Sequence, residues 1–264
     1  GKFQGIGVQF NVIQDTITVI TAIAGGPSDA LGIRSGDRII KINGESAVGF
    51  TNEDVRKNLR GPKDSKVDVT IKRPNVKDPI NFTIIRDDIP LYSLGASDMM
   101  DDGVTGYSKL DKFIQTTHEE FMDAMSELQN NGMERLILDL RGNPGGYLSQ
   151  AVAIAEEFFP KGTKSVSTKS RHTRFSSAYF SRRDGIFKDK PLMILVNEGS
   201  ASASEIVSGA VQDHDRGWIV GRRTFGKGLV QQQYELADSS KIRVTISKYY
   251  TPSGRLIQKP YNNK

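Results

Sequence analysis

Ser202, in the run Gly199-Ser200-Ala201-Ser202-Ala203-Ser204-Glu205, and Lys227, in Thr224-Phe225-Gly226-Lys227-Gly228, are the residues whose types and spacing together propose chemistry. A serine hydroxyl attacks a carbonyl only when a neighbouring group takes its proton, and a lysine amine can take it once its environment favours the neutral form. A free lysine amine titrates at about 10.4, so the pair needs a large downward shift, which burial among apolar groups with no carboxylate beside the amine supplies. Between Ile206 and Val230 the acids are Asp213 and Asp215, and Trp218, Ile219, Val220, Phe225, Leu229 and Val230 flank the lysine, so an apolar setting is expected. Gln231 stands four residues past Lys227. On an extended chain the two share one face, and the amide can orient the amine without holding it charged as an Asp would. The N–H of Ala203, beside the nucleophile, is one candidate oxyanion donor. The Gly145-Gly146 loop is the natural source of another, because a residue without a side chain lets a carbonyl approach the backbone closely.

These residues need elements to hold them, and the chain from Ile89 onward reads as strands alternating with helices. Thr117 to Leu128 is a helix with Phe121, Ala124, Met125 and Leu128 on one face, leading into a buried strand from Arg135 to Leu140. Arg141-Gly142-Asn143-Pro144-Gly145-Gly146 follows as a loop, then a helix from Leu148 to Phe159. A second buried strand, Pro191 to Val196, runs into the serine motif, and Ala203 to Gln212 reads as a helix whose positive dipole end favours attack by Ser202. Trp218 to Gly221 and the stretches Gln231 to Leu236 and Lys241 to Tyr249 complete the strands. This order implies an α/β layer architecture with the active residues on loops at strand ends.

The first 88 residues read differently, as short strands with turns. Gly7 to Val12 and Thr16 to Ile20 alternate around a Gln14-Asp15 turn, Gly25-Gly26-Pro27 breaks the pattern, and Ser28 to Leu31 starts a short helix. Arg38 to Ile42 ends at Asn43-Gly44, a tight-turn signal. Thr51 is placed to cap a helix running to Leu59, and Val67 to Lys72 and Ile80 to Arg86 close the unit. This part resembles a PDZ domain in the circularly permuted form of bacterial proteases, on Gly25-Gly26-Pro27-Ser28-Asp29-Ala30-Leu31-Gly32-Ile33, Gly36-Asp37-Arg38-Ile39 and Ile42-Asn43-Gly44. Gly5, Ile6, Gly7 and Val8 then form its carboxylate-binding loop, where successive N–H groups cradle a chain terminus and the following strand pairs with an extended peptide.

With Leu138-Asp139-Leu140-Arg141-Gly142-Asn143-Pro144-Gly145-Gly146 and the two chemistry-bearing runs added, almost the whole chain resembles the carboxyl-terminal processing proteases, tail-specific serine endopeptidases of peptidase family S41. The resemblance implies a small β-rich PDZ-like domain over residues 1–88 and a crotonase-like α/β catalytic domain over residues 89–264. It implies Ser202 as nucleophile, Lys227 as general base, Gln231 as its orienting partner, and Ala203 with Gly146 as the oxyanion hole. Ser200 and Ser204 resemble flanking serines, and Glu205 is expected to brace the site. The implied partners are polypeptides with accessible, apolar C-termini, in an extracytoplasmic setting, periplasmic or envelope-associated. No metal or cofactor is implied. The helical segments that usually flank the two domains are not in the sequence, which is therefore expected to be a fragment without its targeting segment and leaves homo-oligomerisation through those flanks open.

Composition removes other classes. A net charge of +5, from 36 basic against 31 acidic residues, is too mild for a polycation built for nucleic acid. The absence of cysteine excludes disulfides and thiolate catalysis. No apolar run approaches the roughly 20 residues of a bilayer span. His118, His172 and His214 sit in no catalytic motif and give no metal-ligand spacing. Gly221 to Lys227 fits the opening of a phosphate-binding loop, but Gly228 stands where Ser or Thr would hold magnesium. Residues 161–183, basic with interleaved aromatics, are expected to form a solvated loop at the rim of the cleft, able to help hold an acidic or extended substrate; single-stranded nucleic acid is their other conceivable ligand. The rival to a peptidase is a non-catalytic PDZ-type peptide-binding module, against which intact Ser202, Lys227 and Gln231 argue.

Overall fold

A computed structural model describes residues 3–89, 92–238 and 240–260. The chain divides into two compact units, residues 1–91 and 92–264. In the first, β1 (Phe3–Gly5) pairs antiparallel with β8 (Asp87–Ile89). Between them run β2 (Val8–Ile13), β3 (Thr16–Ala22), α1 (Pro27–Ala30), β4 (Arg38–Ile42), β5 (Glu45–Ser46), α2 (Asn52–Leu59), β6 (Lys66–Lys72) and β7 (Ile80–Ile85). The main sheet has the order β2-β3-β4-β6-β7, all antiparallel, with β5 folded back on β4. Gln14 and Asp15 both take positive φ, 48° and 55°, the left-handed pair that a two-residue hairpin turn needs to match strand twist.

Helix α2 begins where the capping chemistry places it. Thr51 Oγ1 accepts from Asp54 N–H at 3.2 Å while Asp54 Oδ2 accepts from Thr51 N–H at 2.9 Å. Val55 and Leu59, one turn apart, enter the core with Ile39, Val69 and Ile71. Asp37 is buried, and its two oxygens accept from Arg73 and from Arg34 N–H, all at 2.8 Å. Burial alone would raise its pKa, but these hydrogen bonds hold it below the ordinary carboxylate value. Among the described residues Arg86 has no carboxylate acceptor; its guanidinium donates to the carbonyls of Asn58 and Leu59 and so satisfies the end of α2.

The second unit is built on β9 (Leu94–Met99), β10 (Thr105–Leu110), α3 (Thr117–Asn130), β11 (Arg135–Asp139), α4 (Leu148–Glu156), β12 (Lys164–Lys169), β13 (Ser177–Phe180), β14 (Leu192–Val196), α5 (Ala203–Asp213), β15 (Trp218–Gly221), β16 (Leu229–Glu235) and β17 (Lys241–Tyr250). The order β15-β14-β11-β10-β9 is parallel except for β9. Each crossover through α3, α4 and α5 steps one strand in the same direction, so right-handed connections put the three helices side by side on one face. Phe113, Phe121, Phe158, Leu138, Ile194 and Val207 fill the core between them. A second, antiparallel sheet, β13-β12-β17-β16, packs on α4 and α5. Residues 161–183 are thus a hairpin with a short 3-10 turn at Thr173–Phe175, not the solvated loop their charge suggests, because Val166 and Thr168 turn inward while Lys169, Arg171 and Arg174 stay out. Among the described residues no helix is long and apolar enough to cross a membrane.

Candidate active site

Strands β11, β14 and β15 are parallel neighbours, so the loops that follow them open at one end of the sheet. The loop after β14 turns sharply into α5 through Ser202, whose φ of 55° and ψ of −108° lie outside the regions that residues with a side chain favour. Its neighbours are spent on structure. Ser200 Oγ is buried and donates to Leu140 O at 2.7 Å, and Ser204 Oγ is buried and donates to Asn143 O at 3.0 Å. Ser202 is half-buried and its Oγ donates to no acceptor among the described residues, so of the three hydroxyls it is the one not held by a carbonyl. The strain at Ser202 is measurable: Ser202→Gly is expected to raise Tm by about 2–4 °C while abolishing any role of the hydroxyl, because relief of roughly 1–3 kcal/mol of strain outweighs glycine's entropy cost. A lower Tm by calorimetry would mean the turn is not strained.

Glu205, one turn into α5, ties this turn to the lysine loop. Its buried carboxylate accepts from Thr224 Oγ1 at 2.8 Å and Gly226 N–H at 2.6 Å on Oε1, and from Ser202 N–H and Lys227 N–H, both at 2.8 Å, on Oε2. One carboxylate therefore fixes the backbones of both chemistry-bearing residues. The same bonds occupy the Gly226 and Lys227 amides that a phosphate-binding loop would offer to its ligand.

The glycine loop after β11 is pressed against Ser202. Gly145 has φ of 92°, and a Cβ there would lie 2.8 Å from Ser202 Cβ and 2.6 Å from Ala201 O. Gly146, at φ of 152°, is bridged to Phe113, whose carbonyl a Cβ would meet at 1.8 Å. Buried Asn143 organises the loop: its side chain donates to Leu110 O at 2.8 Å and accepts from Gly145 N–H at 2.9 Å, and its carbonyl accepts from Ala201 N–H at 2.9 Å. Neither Gly146 N–H nor Ala203 N–H finds an acceptor among the described residues. At the end of β11, buried Asp139 accepts from Tyr107 OH at 2.7 Å and Arg141 N–H at 2.8 Å and pairs with the Arg141 guanidinium at 2.6 Å. Burial pushes its pKa up, and these bonds overcome that and hold it low. Asp139 and Asn143 stand in the motif that marks the loop, but each also bonds residues distant in sequence, Tyr107 for Asp139 and Leu110 and Ala201 for Asn143, and their roles were not legible there.

Lys227 is the expectation that the structure corrects in part. Its backbone is fixed by Glu205, yet its side chain is exposed, and among the described residues its amine makes no hydrogen bond or ion pair, to Ser202 or to any other group. The apolar wall is not closed because Trp218 lies on the edge strand β15, 76% exposed, and Phe225 is 60% exposed. Gln231 lies on edge strand β16, exposed, with no side-chain hydrogen bond to Lys227. The histidines are engaged elsewhere: His118 Nε2 is 2.6 Å from Glu157, and His214 Nε2 is 2.8 Å from Lys164 O. His172 lies exposed beside the β12–β13 turn.

In the first unit, Gly5, Ile6, Gly7 and Val8 line a groove of about 360 Å³ between β2 and α2. Ile6 and Gly7 N–H groups donate to no acceptor among the described residues, while their carbonyls accept from Ser28 and Ile23. The opposite wall, Val55, Arg56 and Leu59 of α2 with Arg60 just after it, was missed in the sequence, where only the helix and its apolar spacing were legible.

Residues 104–261 match the model of peptidase family S41, and residues 1–72 match that of the PDZ domain. A carboxyl-terminal-processing protease of Synechocystis sp. is 36% identical over 265 residues, 98% of this chain and 61% of that protein. A carboxy-terminal-processing protease of Bartonella bacilliformis is 36% identical over 262 residues, 98% of this chain and 59% of the relative. The chain thus spans less than two thirds of the length of these relatives. Among solved structures, the photosystem II D1 C-terminal processing protease superposes with a TM-score of 0.58 at 30% identity, over 97% of this chain and 70% of that one. An S41 protease structure from Bacteroides fragilis gives 0.65 at 16% identity, over 96% and 72%, a likeness of fold. With a PDZ domain ahead of the matched peptidase region, the chain belongs to peptidase family S41, among the carboxyl-terminal processing proteases.

Proposed function

We propose that this chain is a serine endopeptidase that binds the C-terminus of a polypeptide with its PDZ domain and cleaves an extended segment of that polypeptide in the α/β domain, outside the cytoplasm. The observation that carries the reading is the Glu205 carboxylate, which fixes the strained Ser202 turn and the Lys227 loop together beside the glycine loop. In acylation Lys227 takes the Ser202 proton as Oγ attacks the scissile carbonyl, then returns it to the leaving amine. Water repeats the cycle on the acyl-enzyme with the same base. The oxyanion is met by the N–H groups of Ala203 and Gly146, each worth about 3 kcal/mol. The exposed amine of Lys227 acts when bound substrate covers it and excludes water, with Gln231 orienting it.

The free Ile6 and Gly7 amides support capture of a terminal carboxylate, and Ile6, Val8, Val55 and Leu59 suit an apolar last side chain. The test is hydrolysis of an unfolded polypeptide ending in an apolar residue. The chain cuts it, Ser202→Ala binds without cutting, and amidation of the substrate C-terminus lowers kcat/KM about tenfold, mainly through KM. Binding by all forms with hydrolysis by none would leave a peptide-binding module; hydrolysis by Ser202→Ala would remove Ser202 as nucleophile.

A further inference from the structure

The second sheet of the peptidase unit carries a groove of about 760 Å³ between the β12–β13 turn and the outer face of β17. Lys169, Arg171, Arg174 and Lys248 line it, with Phe175 and Tyr250 between them, and no acidic residue does. Among the described residues none of these four cations is in an ion pair. Lys169 and Lys248 face each other directly in the β12–β17 register, a like-charge cross-strand pair that works against the sheet unless an anion joins it. Lys169 lies over the Tyr250 ring at 4.8 Å and Arg174 over Phe175 at 4.7 Å, so the charges are presented on aromatic supports. The groove also adjoins the site: Lys248 pairs with Leu229, two residues past Lys227, and Tyr249 N–H donates to Gly228 O at 2.7 Å.

We infer that this groove binds an acidic, extended segment of the polypeptide substrate. The inference rests on the peptidase reading for its ligand and deepens it to a substrate class. Uncompensated cations from β12, the β12–β13 turn and β17 converge on the groove and match a run of Asp or Glu, and the aromatic and apolar surface beside them, with Tyr234 and Val244 exposed, takes the intervening side chains.

Lys248→Glu separates a ligand site from a structural patch. It sets an acid opposite Lys169, turning a repulsive cross-strand pair into an attractive one, so the fold is retained or strengthened while three cations and one anion replace the four cations of the groove. Binding is measured by anisotropy on the Ser202→Ala chain, so that a failure of catalysis leaves the measurement unaffected. The probe is a labelled, carboxyl-amidated peptide of alternating Glu and Ser with two Phe, which offers the PDZ groove no terminal carboxylate. The expected result is salt-sensitive binding about tenfold tighter than that of the Gln counterpart, weakened about tenfold by Lys248→Glu with Tm not lowered. Equal binding of the Gln peptide, or unchanged binding by Lys248→Glu, overturns the proposal. Tighter binding of oligo-dT than of the Glu peptide overturns it in favour of single-stranded nucleic acid. In the Ser202 chain, loss of hydrolysis with acidic-peptide binding intact would fail the peptidase reading alone.

Discussion

Replacing Glu205 with Gln is expected to lower turnover by about a hundredfold or more and to cost about 2–4 kcal/mol of stability. The carboxylate accepts four hydrogen bonds, from Ser202 N–H, Lys227 N–H, Gly226 N–H and Thr224 Oγ1. An amide offers one accepting oxygen and turns an NH2 either toward the Ser202 and Lys227 N–H groups or toward Gly226 N–H and Thr224 Oγ1, and of these four only the threonine hydroxyl can accept. Whichever way it sits, buried N–H groups lose their partner, at about 1–3 kcal/mol each. The Ser202 turn, already strained, then relaxes away from the glycine loop, and a displacement near 1 Å costs roughly a hundredfold in rate. Glu205→Asp keeps the charge but shortens its reach, and is expected to fall between the two. Thermal denaturation with single-turnover hydrolysis checks both effects, and wild-type turnover in Glu205→Gln would remove the carboxylate from the account.

Lys227→Arg is expected to give the opposite signature, with turnover lowered by roughly 10³- to 10⁴-fold and stability changed by less than about 0.5 kcal/mol. The side chain is exposed and makes no hydrogen bond or ion pair among the described residues, so no stabilising contact is lost, and the Glu205 bond is to the backbone, which the substitution keeps. Arginine preserves the charge and most of the length but cannot give up its proton at working pH, so it cannot accept one from Ser202. If Lys227 served only to attract an acidic substrate, Lys227→Arg would keep activity and Lys227→Ala would lose it. Equal loss in both, in kcat rather than KM, is the outcome for a base.

Much of the architecture was legible because local chemistry and pattern agreed. Arg38–Ile42 and Trp218–Gly221 form the expected strands, and α2 starts at the Thr51 cap. Strands β9 and β10 carried no such signal: Thr105, Gly106 and Ser108 are buried without being apolar, since their place is set by the strands on either side, Gly106 between Met99 and Leu136 and Ser108 between Ser97 and Leu138. The hairpin at 164–180 was masked by its charges, which sit on the outer face of a strand whose inner face is Val166 and Thr168. At the site, serine, lysine and glycine loop could be read from motif and position. The resemblance pointed to Glu205 as a brace, but which groups it holds could not be read, because Glu205 reaches residues 19 to 22 positions away and Asn143 reaches Leu110, 33 positions away, links that exist only in the fold. The exposure of Lys227 was also hidden, since apolar neighbours in sequence do not surround a side chain when they lie on an edge strand and an open loop.

The central claim, that Ser202 is the attacking group and Lys227 its base, is tested most directly by treating the chain with a fluorophosphonate and mapping the adduct by peptide mass. The account predicts phosphonylation of Ser202, with Ser200 and Ser204 untouched because their hydroxyls are buried and bonded to carbonyls. The rate falls by about a hundredfold or more in Lys227→Arg. An adduct on Ser200 or Ser204, or labelling of Ser202 at the same rate in Lys227→Arg, would contradict it.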